Sequence, residues 1–243
     1  MKRRNLTLSI CMLAILAFSS IGFAAWVITR PATDYATEGA IIVDAATNGA
    51  YELVVPPTAG NIVFGAPADA TNNGTQWLVN EDNTEVLSQT IQISVDIADD
   101  NTDLEDIAIN DLKISLAYVS KSTDGEGNPI EVDESASFQA CVGANLIVAP
   151  KLYYCSAIDT ATGEKTWTEF ASGATLDDAV CFLNGVCELK VEFAWGTEFD
   201  SMNPYTYYNG LDYTNDLAVE AEENLNMLHE KLEGVYYKLT ING

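Results

Sequence analysis

Leu87-Ser88-Gln89-Thr90-Ile91-Gln92-Ile93-Ser94-Val95-Asp96-Ile97 carries an apolar residue at every second position from Ile91 onward. Successive side chains of a strand point to opposite faces, so this spacing lines one face for a core and leaves the other for water. Leu112, Ile114, Leu116 and Tyr118 repeat the pattern, as do Leu189, Val191, Phe193 and Trp195 with Lys190 and Glu192 between them. Near the C-terminus Val235, Tyr237, Leu239 and Ile241 alternate with Tyr236, Lys238 and Thr240. The chain is therefore expected to be mainly β.

Turn chemistry links the strands. Asn48-Gly49 and Asn184-Gly185 are dipeptides that accept positive φ in two-residue hairpin turns. Asp124-Gly125-Glu126-Gly127-Asn128-Pro129 reads as a longer polar loop, and Ala161-Thr162-Gly163-Glu164 as a turn between Tyr153-Tyr154 and Trp167 to Phe170. Connections this short point to antiparallel pairing, because parallel strands need crossovers of a dozen residues or more. One helix is expected at about 215–233, where Leu217, Ala221, Leu225, Leu228 and Leu232 recur three or four residues apart. Gly234 stands where a left-handed C-cap residue belongs, and Glu220, Glu222, Glu223 and Glu230 form the solvated face.

The N-terminus reads as an export signal. Lys2, Arg3 and Arg4 precede an apolar run from Leu6 to Phe23, and Gly22 and Ala24 are the small residues for a cut after Ala24. The alternative is an uncleaved anchor, with Trp26 at the membrane interface. Residues 1–24 are thus assigned to a signal peptide and 25–243 to a single β-sandwich domain. A signal peptidase is the partner during export, and the membrane is met only through the N-terminal segment if it stays uncleaved.

Loss of the three basic residues leaves 8 Lys and Arg against 36 Asp and Glu, moving the net charge from −25 to −28. Such a surface repels nucleic acid and anionic lipid, keeps the protein soluble and attracts cations. Disorder is excluded by the 48% apolar and 9% aromatic content, enough for a core.

Cys11 leaves with the signal, and Cys141, Cys155, Cys181 and Cys187 remain as an even set. Export implies an oxidising compartment, so disulfides come first, paired locally as Cys141 with Cys155 and Cys181 with Cys187. Spacings of 14, 26 and 6 lack the close C-x₂-C pairs that zinc sites favour, and free buried thiols are the remaining reading.

No catalytic constellation is present in the pattern. His229-Glu230-Lys231-Leu232-Glu233 begins like a zinc-protease helix, but Glu233 stands where the second imidazole is needed and His229 is the only histidine. Asp96, Asp99, Asp100, Asp103 and Glu105 gather hard oxygen ligands and are weak calcium candidates, although no EF-hand register fits them. No other cofactor is expected. Asn73-Gly74-Thr75 matches a short glycosylation acceptor. Trp195, Phe199, Tyr205, Tyr207 and Tyr208 form an aromatic cluster that suits either the core or an interface with a glycan or protein.

The stretch Gly22-Phe23-Ala24-Ala25-Trp26, followed by Asp34-Tyr35-Ala36-Thr37-Glu38-Gly39-Ala40-Ile41-Ile42-Val43-Asp44, resembles the start of the TasA/camelysin family. The likeness is clearest over about residues 1–45. It implies an exported protein of Gram-positive bacteria, processed by a SipW-type signal peptidase and folded as a jelly-roll-like β-sandwich. It also implies fibres of the extracellular matrix or biofilm, in which the N-terminal strand of one copy completes the sheet of the next. Ile41, Ile42 and Val43 are then the centre of a donor segment running from Thr33 to Asp44. Four mature cysteines and a late helix set this chain apart from the fibre-forming members, and no metal motif matches the metalloprotease activity described for some camelysin-like proteins. The reading is an exported structural protein of the cell surface or matrix, secreted, with other copies of itself as partners. A monomeric binding module is the alternative, and a secreted metallohydrolase ranks last.

Overall fold

The computed structural model describes residues 37–46, 52–65, 85–96, 111–183, 185–212 and 214–242, which form a mainly β structure of two sheets with helices between strands. Residues 1–24, expected to be a signal, together with Asn48-Gly49 and Asn73-Gly74-Thr75, lie outside the described residues.

The first sheet has the order β3 (Thr58–Phe64), β1 (Thr37–Ala46), β12 (Tyr236–Asn242), β5 (Leu112–Thr123), β6 (Pro129–Asp133), with β9 (Thr175–Leu176) added to β5. The second runs β2 (Glu52–Val54), β4 (Ser88–Asp96), β11 (Val186–Trp195), β7 (Ile147–Ile158), β8 (Lys165–Phe170), with β10 (Phe182–Leu183) against β11. The four alternating runs become β4, β5, β11 and β12, and their apolar positions face inward: Ile91, Ile93, Leu112, Ile114, Leu189, Val191, Phe193, Tyr237, Leu239 and Ile241 are all buried. The sheets meet through rings. Phe193 of β11 lies 4.7 Å from Tyr237 of β12, and Phe64 of β3 lies 5.1 Å, edge-on, from Trp195 of β11. Aromatic pairs in such tilted or edge-on arrangements add to what burial alone contributes.

The β7–β8 hairpin forms where Ala161-Thr162-Gly163-Glu164 was expected to turn, with Gly163 at φ 75°. Gly185, at φ 77°, returns β10 into β11, so that Leu183 pairs with Val186; Asn184 lies outside the described residues. The Asp124 loop closes β5 onto β6, its carboxylate accepting from the amides of Glu126 and Asn128.

Two expectations need correction. Pairing is not wholly antiparallel: β1 runs parallel to β12, with Ile41 opposite Tyr237 and Val43 opposite Leu239. The short-loop argument holds only for consecutive strands, and here the first and last described strands meet, with nearly the whole chain as their crossover. Nor is the late helix alone. It runs Asn215–Leu232, capped by the Thr214 hydroxyl accepting from the Leu217 amide at 3.1 Å, with Gly234 left-handed at φ 72°. Three shorter helices accompany it among the described residues: α1 (Ser135–Gly143), α2 (Asp178–Cys181) and α3 (Pro204–Asn209), so the long one is α4. A 3₁₀ turn covers Thr197–Phe199. Helix α1 buries only Phe138 and Cys141, too few positions to show a period. Phe138 stacks flat on Tyr118 at 3.9 Å, and α1 packs against α4.

Candidate functional site

Of the donor segment Thr33 to Asp44, residues 37–44 fall in β1 and 33–36 lie outside the described residues; the surroundings of β1 define a slot. The strand lies between β3 and β12 and is hydrogen-bonded along both, antiparallel to β3 and parallel to β12. Ile41 is fully buried and Val43 nearly so, while Ile42 points the other way and is half-buried. Burying each aliphatic side chain contributes roughly 1.5–3 kcal/mol. Helix α4 also touches β1. Position 39 must be glycine for a steric reason: a Cβ there would sit 2.2 Å from the Val235 carbonyl oxygen and 2.6 Å from the Tyr237 ring. The slot thus asks for a segment with no side chain at one position and aliphatic ones two and four residues on. On the β3 side the register shifts between Ala40 and Ile42.

The aromatic cluster turns inward. Trp195, Phe199, Tyr205 and Tyr208 are buried and Tyr207 is half-buried, so of the two alternatives, core or interface, the rings take the core. Edge-on contacts link Trp195 to Phe199 at 5.9 Å and Phe199 to Tyr208 at 5.9 Å. The Tyr208 hydroxyl accepts from Asn224 Nδ2 at 2.9 Å and donates to Glu220 at 3.4 Å, and burial pushes its pKa up.

Around this cluster lie residues that sequence reasoning missed. Trp195 Nε1 donates to Glu85, and Asn203 Nδ2 donates both to Glu85 Oε2 at 3.0 Å and to the Gly65 carbonyl. Burial holds the Glu85 carboxyl above its usual range, opposed by the two donated hydrogen bonds. Glu85 stands more than a hundred residues from its partners, so no local pattern marks it. Asn203 was signalled: Asn before Pro is a helix-start pair, and its Oδ1 accepts from the Tyr205 amide at 2.9 Å as the cap of α3.

Of the calcium candidates, Asp96 ends β4 opposite Glu52 and is exposed, while Asp99, Asp100, Asp103 and Glu105 lie outside the described residues. A different carboxylate group forms where Leu112 pairs with Leu176: Asp111, Asp177 and Asp178 bring their ligand oxygens within 4.8 Å of one another. Three oxygens of this kind suit a hard cation, but calcium takes roughly six to eight. His229 has its Nε2 3.2 Å from Glu233 one turn on along α4. Among the described residues no helix is long and apolar enough to cross a membrane.

Cys141, Cys155, Cys181 and Cys187 are buried thiols in this structure. Cys181 and Cys187 hydrogen-bond to each other. Cys141 and Cys155 are not brought together: Cys141 sits in the core on α1, its thiol pushed up to about 11 by burial, whereas Cys155 lies outside the core cluster. Cys155 instead donates to the Ala157 carbonyl at 3.4 Å and feels Glu188 and Lys165 on the outer sheet face. There the Lys165 ammonium meets Glu188 at 2.5 Å, and Lys190 lies over the rings of Tyr153 and Trp167.

Compared with protein-family models, curated proteins and solved structures, the chain matches none.

Proposed function

We propose that this is an exported structural protein of the cell surface or extracellular matrix, similar to the TasA/camelysin family, whose copies join by donor-strand addition. The observation that supports the reading is β1 itself. It is an N-terminal strand seated in the interior of a sheet, parallel to the last strand, with Ile41 and Val43 in the core. A strand in that place supplies ladder hydrogen bonds on both sides and fills apolar pockets, the two elements of strand-addition binding. The slot it occupies accepts the same segment from another copy, because the requirements at positions 39, 41 and 43 are met by every copy. In the reading, the sandwich is jelly-roll-like, the segment 1–24 directs export, and residues 25–32 lead into the donor segment Thr33 to Asp44.

Negative-stain electron microscopy of the chain beginning at Ala25, over a range of concentration and pH, tests this against a chain beginning at Gly49. Acid belongs in the range because protonating carboxylates relieves repulsion between strongly negative subunits. Fibres from the first chain and none from the second are expected. Fibres from the chain that lacks β1 would overturn the mechanism.

A monomeric binding module is the second reading, and the half-buried rings of Tyr153 and Trp167 flanking Lys190 on an outer sheet face favour it. It predicts a monomer at every concentration and a ligand whose binding is lost on Trp167→Ala.

A further inference from the structure

Helix α2 ends at Cys181 and runs directly into β10, which turns at Gly185 into β11. The ladder pairs Phe182 with Cys187 and Leu183 with Val186, so Cys181 stands one residue before the ladder and Cys187 within it. Both side chains are fully buried in the core cluster, and their thiols are in hydrogen-bond contact. The Cys181 sulfur also faces the Asp178 carbonyl at 3.9 Å.

We infer that Cys181 and Cys187 are a redox pair that closes to a disulfide, while Cys141 and Cys155 remain thiols. Cross-linking requires two sulfurs that already meet, since separated cysteines cannot bridge without backbone movement. Only one of the two sequence-neighbouring pairs satisfies this. Cys155 is near Cys187 along the β11–β7 ladder, but Cys187 faces the core and Cys155 the outer side, beside Glu188 and Lys165. Cys141 points into the core from α1, close to Tyr237 and Lys231.

The oxidant is a disulfide, and glutathione disulfide serves as the probe. One of the two thiols, as its thiolate, attacks one sulfur of the probe, the probe's S–S bond breaks, and one glutathione leaves as a thiol. The other thiol then loses its proton and attacks the protein sulfur of the mixed disulfide, releasing the second glutathione. Two protein thiols are oxidised and one glutathione disulfide is reduced to two thiols. Closure ties the end of α2, which carries Asp178, to β11. Exchange takes place while the chain folds or while the short β10 pair is open, since both sulfurs are buried in the folded state. The inference does not depend on export.

The test uses the chain from Ala25, which retains every described residue. It is reduced and unfolded, refolded in a glutathione redox buffer, alkylated and digested with trypsin. Cys181 and Cys187 share the fragment Thr166–Lys190, Cys155 lies in Leu152–Lys165 and Cys141 in Ser122–Lys151. The expected result is an unalkylated Thr166–Lys190 two hydrogens lighter than its dithiol, with Cys141 and Cys155 alkylated. Four alkylated cysteines, or any fragment joined through Cys141 or Cys155, would overturn the inference. In Cys181→Ser and in Cys187→Ser the remaining thiol of the pair is expected to form no bridge to Cys141 or Cys155; such a bridge would overturn the inference.

Discussion

Gly39→Ala is the sharpest probe of how β1 is seated. A methyl group at that position would lie 2.2 Å from the Val235 carbonyl oxygen and 2.6 and 3.1 Å from two atoms of the Tyr237 ring. The oxygen belongs to the backbone that leads into β12 and cannot swing aside. Tyr237 is itself fully buried and in ring contact with Phe193 and Phe138, so it cannot retreat either. Strand β1 must therefore lift, and the lift is felt two residues on, where Ile41 is held opposite Tyr237. Overpacking of this kind costs about 1–3 kcal/mol. For a chain of this size each kcal/mol lowers the melting temperature by about 2–4 °C. The assay is thermal unfolding followed by circular dichroism on the chain from Ala25, with Gly125→Ala as the control because a Cβ there meets nothing within 4 Å. If Gly39→Ala melts with the wild type, to within roughly 0.5 kcal/mol, β1 does not lie against β12 in this register and the slot argument fails. Concentration dependence adds a second readout: a slot filled by the chain's own strand melts independently of concentration, and one filled by another copy does not.

Glu85→Gln is expected to change the pH dependence of stability. Burial raises the folded-state pKa of Glu85 above its ordinary 4.5, so the native state holds the proton more tightly than the unfolded chain. Stability from this group is present below the unfolded value and is lost as pH rises through the raised one. Urea titrations from about pH 4 to pH 7 should therefore show the wild type losing stability relative to Glu85→Gln as pH rises, and a constant difference between the two would contradict the burial argument. Tyr237→Phe removes a buried hydroxyl that has no hydrogen-bond partner among the described residues. The variant should be as stable as the wild type or up to about 1–3 kcal/mol more stable, and a loss above about 1 kcal/mol would mean that the hydroxyl is satisfied.

Much of the sandwich was legible because its strands are amphipathic. Ile91 and Ile93, or Tyr237, Leu239 and Ile241, can face a core only in an extended chain, and α4 shows its period over five turns with a glycine at the end. The partner of β1 was not legible. Ile41-Ile42-Val43 is a continuous apolar run with no face marked, and its partner Tyr237 lies at the other end of the chain. The same remoteness hides the Glu85, Trp195 and Asn203 node, and the approach of Asp111 to Asp177 through the pairing of Leu112 with Leu176. Aromatic density over 195–208 marked a place where area is buried without saying against what, and the rings turn to the core because Gly196 lets the chain pass against Asn145. A Cβ on Gly196 would lie 1.8 Å from that carbonyl oxygen, while the Gly196 amide donates to Leu146 at 2.9 Å.

The parallel placement of β1 bears on the proposed assembly in a way that an edge strand would not. Without β1, β12 presents a row of unpaired backbone groups beside the core residues Tyr237, Leu239 and Ile241, and β3 loses its sheet neighbour. An open ladder of that kind is a template for another strand. The segment that fits it best is the one that already does: glycine at 39 beneath Val235 and aliphatic groups at 41 and 43. Specificity for the same chain then follows from the slot alone. What opposes exchange is the cost of withdrawing Ile41 and Val43 from the core together with the repulsion between copies of a chain of net charge −25. Repulsion between surface charges is screened over about 10 Å at 0.1 M salt and falls as carboxylates take up protons. Assembly by strand exchange should therefore be promoted by acid and by salt, and the two should act together. Assembly through the apolar edge residues Ile130 and Val132 of β6 would respond in the same direction but would survive Gly39→Ala, which separates the two routes in a single sedimentation experiment.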